Sequence, residues 1–102
     1  MGEFIKVAKA AEIGTGSMKG FVLGEDKILV ANIEGKFYAI EDNCPHLGAK
    51  LSKGLLMGKN ITCMAHSAKF DITSGLSLGD VTNKPAKTYE VRVNGEDVEV
   101  KL

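Results

Sequence analysis

The sequence predicts an all-β domain of antiparallel strands, and three observations carry that prediction. Short β-branched and aromatic runs recur along 102 residues and are punctuated by 12 glycines, the spacing of strands and turns. Heptads, repeats and low-complexity tracts, the marks of other architectures, do not occur. The C-terminal runs "TYEVRV" and "VEVKL" alternate polar with apolar, the period of a half-buried strand.

In chain order, "FIKVA" at 4–8, "KGFVL" at 19–23, "KILVANI" at 27–33 and "KFYAI" at 36–40 read as strands of an antiparallel meander. Glu34-Gly35 is a two-residue connection, and Gly supplies the positive φ that a tight hairpin demands. The glycines at 14, 16 and 20 miss the dinucleotide fingerprint and read as loop. Residues 41 to about 80 break the pattern, with short strand candidates only at 60–63 and 69–72. An insertion of that length inside a small domain needs something besides side-chain packing to order it, and a bound metal centre would do so. A second hairpin follows, turning at "NGED" and placing Tyr89, Val91, Val93, Val98, Val100 and Leu102 on the core face. Its last strand closes the sheet.

The length allows one domain, 1–102, with the insertion at about 41–80. Such a chain buries roughly two-thirds of its unfolded surface, enough for a modest core without disulfides. Thirteen basic residues balance thirteen acidic ones, which argues against a nucleic-acid partner or an anionic membrane surface. The first residues, "MGEFIKVAKAAEIGTG", are charged every few positions, and nowhere do 18 apolar residues run together, so the expectation is a soluble, cytoplasmic protein. In a reducing compartment two cysteines read as metal ligands or catalytic groups, and the Asn60-Ile61-Thr62 sequon has no expected role. Lys50, Lys53, Lys59 and Lys69, offset by Glu41, Asp42, Asp71 and Asp80, read as a mixed solvated surface.

All the cysteines and histidines fall in one segment, "CPHLGAKLSKGLLMGKNITCMAH" at 44–66. Cys44-Pro45-His46 forms one arm and Cys63-Met64-Ala65-His66 the other, each with one thiolate and one imidazole. A single zinc accepts such a donor set, but structural zinc sites pair like ligands at longer spacings than Cys-x-His. A nucleophilic Cys activated by His is also conceivable, yet leaves the second arm unexplained. A binuclear centre accounts for the order: two facing loops each give a Cys to one iron and a His to the other of a [2Fe–2S] cluster.

"CPHLGAKLSKG", "CMAHSAKFD" and "TSGLSLGD" together resemble the Rieske-type ferredoxin family over nearly the whole chain. The resemblance implies a small antiparallel β-sandwich of stacked sheets with an inserted, loop-rich cluster-binding subdomain. It implies a [2Fe–2S] cluster held by Cys44, His46, Cys63 and His66, and a one-electron carrier between a flavoprotein-type reductase and an acceptor such as a terminal oxygenase. The stretch "GDVTNKPAKTY" at 79–89 is similar to the family's third loop, with Pro85 covering the cluster's flank. Small residues at Gly48, Ala49, Ala65, Ser67 and Ala68 let backbone N–H groups approach the sulfurs and stabilise added negative charge. Leu47 beside His46 and His66 offers the apolar part of a docking patch.

Departures from the family's respiratory members are equally specific. Their loop disulfide has Ala49 and Ala65 in its place, and their Ser and Tyr hydroxyl donors have Ala68 and Phe70. Losing two donors predicts a potential toward the low end of a range that spans about −150 to +300 mV. A non-haem oxygenase site needs two further histidines, and none remain.

Overall fold

The structure is a computed structural model that describes residues 3–43, 50–63, 69–78 and 86–102. Nine strands carry the described chain: β1 (Phe4–Lys9), β2 (Met18–Leu23), β3 (Asp26–Ile33), β4 (Lys36–Glu41), β5 (Leu55–Met57), β6 (Asn60–Thr62), β7 (Lys69–Asp71), β8 (Thr88–Asn94) and β9 (Asp97–Lys101). Two single 3₁₀ turns, Ala10–Glu12 and Leu51–Lys53, interrupt them. A six-stranded sheet has the order β1-β9-β8-β4-β3-β2, and a three-stranded sheet the order β5-β6-β7. All pairings are antiparallel.

The larger sheet curls, so that its β1-β9-β8 half faces its β2-β3-β4 half. Ala8, Val98 and Val100 from one half meet Ile28, Val30 and Ala39 from the other in one apolar cluster. The alternate residues of β3 and β4, Leu29, Ala31 and Ile40, point to the opposite face and join Ile61, Cys63 and Phe70 under the small sheet. Side chains alternate across a strand, so β3 and β4 form a middle layer buried on both faces. That is why Ile28, Leu29, Val30 and Ala31 follow one another as an unbroken apolar run. The three stacked layers match the expected sandwich.

Turn chemistry sets the registers. Ile33 pairs with Lys36, and both intervening residues have positive φ, 54° at Glu34 and 91° at Gly35. That is the type I′ pattern whose twist matches the strands it joins. Buried Asn32 accepts the Gly35 N–H at 2.9 Å and donates to the Ile13 carbonyl at 2.9 Å, tying this hairpin to the segment after β1.

Three expectations are corrected. β1 is not part of the meander: it pairs with β9, Ala8 opposite Val98 and Ile5 opposite Val100, with a bulge between Lys6 and Ala8. The chain between β1 and β2 crosses the sandwich because Ile13, only 1% exposed, anchors it in the core between the sheet halves. Val93 and Leu102 do not reach the core, being 48% and 37% exposed. β8 pairs with β4 only at Thr88 and Tyr89; beyond them the strands splay, and Val93 overhangs near the Gly95 turn, while Leu102 lies past the final ladder pair. Gly20 is not loop but lies inside β2, opposite Leu29. Among the described residues no helix is long and apolar enough to cross a membrane.

Candidate metal centre

The small sheet is built from the two strand candidates seen in sequence, β6 and β7, and from β5, which sequence reasoning missed because "LLM" is too short to show a period. Register aligns Leu55, Thr62 and Lys69 at one end of it. The chain after the β7 turn runs back alongside: Phe70 bridges Ser77, and the Leu78 N–H donates to the Lys69 carbonyl at 2.8 Å. Residues 64–68 join Cys63 to Lys69, residues 79–85 follow Leu78, and residues 44–49 lead through Lys50 and the 3₁₀ turn to Leu55. The described flanks Leu55, Cys63, Lys69 and Leu78 therefore lie at one end of the small sheet.

Their far ends are tied as well. Ala86 N–H donates to the Gly75 carbonyl at 2.7 Å, and Glu41 N–H to the Lys87 carbonyl at 2.8 Å. These bonds bring Ala86 against Gly75 and Lys87 against Glu41. Gly75 has φ 79°, and a Cβ there would run into the Ala86 carbonyl; a Cβ on Gly54 would meet that of Thr62. Both glycines are close-approach positions where main chain meets main chain.

The first arm has its own latch. Asp42, 3% exposed, donates its N–H to the Lys27 carbonyl at 2.8 Å. Its carboxylate accepts the Ser52 N–H at 2.7 Å and the Ser52 hydroxyl at 2.6 Å. Gly20 leaves the room: a Cβ there would sit 2.6 Å from Asp42 Oδ2 and 2.8 Å from Ser52 Oγ. Ten positions separate Asp42 from Ser52 and no local pattern links them, so sequence reasoning missed the pair. It also placed Asp42 on a solvated surface, which the structure corrects: the side chain is buried.

Of the four expected ligands, Cys63 is described. Cys44, His46 and His66 lie outside the described residues, as do Pro45, Leu47, Gly48, Ala49, Met64, Ala65, Ser67, Ala68, Asp80 and Pro85. Cys63 is a free thiol, 0% exposed, directly after β6. Leu51, Phe70 and Ala86, one from the flank of each loop-bearing region, belong to the same cluster. A buried free cysteine is ordinary in a core. This one differs in standing where the chain leaves the small sheet toward the second arm. A thiol there, with another thiol and two imidazoles on adjoining segments, is a donor set that fits an iron–sulfur group.

Two ionisable groups near these ties are perturbed. Asp71, at the end of β7, accepts Thr73 Oγ1–H at 2.6 Å and Thr73 N–H at 2.9 Å, with Lys59 Nζ at 3.5 Å. Hydrogen bonding from the Thr73 hydroxyl leads in holding its carboxyl below the ordinary value of 3.8, against the opposing effect of burial. Lys59 and Asp71 thus bear out part of the expected charge offset. Tyr89 is pushed above its ordinary 10.0, first by burial and then by the Asp26 and Glu41 carboxylates.

A family model described as the Rieske [2Fe-2S] domain matches residues 3–99. The chain is 34% identical over 97 residues to the ferredoxin component of biphenyl 2,3-dioxygenase from Rhodococcus jostii strain RHA1, covering 95% of this chain and 91% of that protein. It is 30% identical over 100 residues to the ferredoxin component of the naphthalene 1,2-dioxygenase system of Pseudomonas aeruginosa, covering 98% and 96%. In the solved complex of reduced oxygenase and oxidised ferredoxin in carbazole 1,9a-dioxygenase, one chain superposes with a TM-score of 0.90 at 31% identity, covering 95% of this chain and 91% of that chain. With this match along nearly its full length, and with the stacked β-sheets and loop ties that accompany it, the chain belongs to the Rieske [2Fe-2S] domain family.

Proposed function

We propose that this protein is a one-electron carrier that takes an electron from a flavoprotein-type reductase and delivers it to an acceptor such as a terminal oxygenase. The relatives named as ferredoxin components of dioxygenase systems support that role, and so does the oxygenase–ferredoxin complex among the structural neighbours. The single observation that carries it is the convergence of the flanks of both ligand arms at one end of the small sheet, beside buried Cys63.

Cys44 and Cys63 would supply thiolates to one iron, and His46 and His66 imidazoles to the other. A bound [2Fe–2S] group supplies storage for one electron. What the chain contributes is position and environment. The Asp42–Ser52 latch fixes the stem of the first arm, the Thr62–Lys69 pair fixes that of the second, and the bond from Ala86 to Gly75 holds the return of residues 79–85. Leu51, Ile61, Phe70 and Ile72 exclude water from beneath Cys63. Phe70 and Ala68 stand where hydroxyl donors would favour the reduced form, which supports a low potential for a centre of this kind. We read residues 1–102 as one domain whose insertion at about 41–80 carries the centre, working in the reducing cytoplasm that a two-cysteine ligand set suits.

The test is electron paramagnetic resonance of the dithionite-reduced protein, together with iron and acid-labile sulfide analysis. Histidine-ligated [2Fe–2S] spectra with equal iron and sulfide are expected. An all-thiolate signal, or stoichiometric zinc without sulfide, overturns the reading.

A further inference from the structure

Beside the stem of the first arm the surface opens into a cleft of about 300 Å³, lined by β2 from Met18 to Val22, by Lys27, Asp42 and Ser52, and by Lys50 and Lys53. Lys27, Lys50 and Lys53 are exposed, and among the described residues no carboxylate pairs with any of them. Lys19 adds a fourth cation at the rim, its ammonium 5.7 Å from the Phe21 ring centroid.

The carboxylate in the cleft is that of Asp42, and it is committed: buried, and accepting both the N–H and hydroxyl of Ser52. Sequence reasoning set Asp42 against these lysines as an offsetting surface charge. Its charge stays in the cleft but offsets only one of the four lysines around it, leaving a local positive field on a chain with no net charge. The carboxylates have a place of their own: Glu25, Asp26 and Glu41 line a separate cleft of about 310 Å³, with Lys27 shared between the two. Charge that cancels in the sum is segregated around residues 41–43.

We propose that the lysine cleft is a docking surface for a carboxylate-rich segment of a protein redox partner. Three arguments select that occupant. Ammonium groups without a carboxylate partner among the described residues, set around a concavity, attract anions and speed encounter, with little need for a large buried area. Lysines are strongly hydrated and flexible, which suits the small, short-lived interface of an electron carrier, below about 1,200 Å². The cleft is lined by Asp42, Lys50 and Ser52, described residues that stand on either side of the first arm in the chain, so a partner seated there lies against the ends from which that arm departs. The partner's being a redox protein rests on the carrier reading; the anion preference of the cleft does not.

The experiment measures binding of a fluorescein-labelled deca-glutamate peptide to the full-length protein by anisotropy, with the visible spectrum recorded on each sample. Binding that weakens with added salt is expected. The double variant Lys50→Glu/Lys53→Glu should weaken it about tenfold or more, and Lys27→Gln/Lys53→Gln should weaken it less. Lys9→Glu/Lys36→Glu makes the same change in net charge on β1 and at the far end of β4, and should stay within about twofold of the parent. The proposal is overturned if the parent does not bind at low salt, if both double reversals weaken binding equally, or if inorganic phosphate competes as well per mole as the peptide. A protein without iron–sulfur absorption that still binds the peptide through Lys50 and Lys53 would sink the carrier reading and leave the cleft assignment standing.

Discussion

Asp42 and Ser52, ten residues apart, are joined by two hydrogen bonds of 2.7 and 2.6 Å to one buried carboxylate. They stand on either side of residues 44–49, and so close the base of the arm that contains Cys44 and His46. Bonds to a charged acceptor are among the stronger ones in proteins, and an orphaned buried partner is costly.

Asp42→Ala leaves the Ser52 N–H and hydroxyl without their acceptor. The expected loss is about 1–3 kcal/mol of stability, read as a lower urea midpoint at neutral pH, with a smaller loss for Ser52→Ala, which retains the backbone bond. Equal midpoints for Asp42→Ala and the parent would show that the latch contributes nothing.

Gly20→Ala tests the same latch from the opposite side. In a strand, alanine would ordinarily gain about 0.5–1 kcal/mol over glycine. Here the added Cβ falls 2.6 Å from Asp42 Oδ2 and 2.8 Å from Ser52 Oγ, and crowding of that kind costs typically 1–3 kcal/mol. The clash outweighs the gain, so thermal denaturation should show a lower midpoint. In an Asp42→Ala background the penalty should shrink or reverse, and a double-mutant cycle without such coupling would refute the account.

Asp71 makes acid stability depend on Thr73. Its carboxyl titrates below 3.8 in the folded chain, so its contribution is fully present above the unfolded value and is lost as pH falls through the folded one. Thr73→Val removes the leading cause. The variant should therefore be less stable than the parent at about pH 6, by about 0.5–1.5 kcal/mol. That gap should narrow as pH falls below 3.8 and through the lowered folded value. Denaturant titrations at a series of pH values falling from about 6 decide it; a gap that persists undiminished in acid would assign the effect to packing instead.

Phe70, 0% exposed beside Cys63 in the same cluster, is the described member of the pair that lacks hydroxyl donors. Phe70→Tyr, alone or with Ala68→Ser, should raise the reduction potential measured by a spectroscopically monitored redox titration, because a new donor stabilises the added negative charge. An unchanged or lowered potential would remove the missing hydroxyls from the explanation.

By itself the sequence determined what is local or chemical in character. The period of two in "TYEVRV" and "VEVKL", the Glu34-Gly35 turn with its positive φ at Gly35, and the β-branched strand run at 27–33 each encode their own geometry within a few residues. The two Cys-and-His arms place two thiols and two imidazoles in one segment whatever the chain around them does. Only the tertiary structure decided which distant pieces meet. It paired β1 with β9, because burying Ile13 carries the chain across the sandwich. It withdrew Val93 from the core, because β8 parts from β4 after two residue pairs. It buried Asp42 against Ser52 and Gly20, turning an expected surface charge into a latch beside Lys50 and Lys53. Local pattern reports which face of a strand is apolar; it does not carry the free energy of contacts between residues far apart in sequence, and that free energy selects the partners.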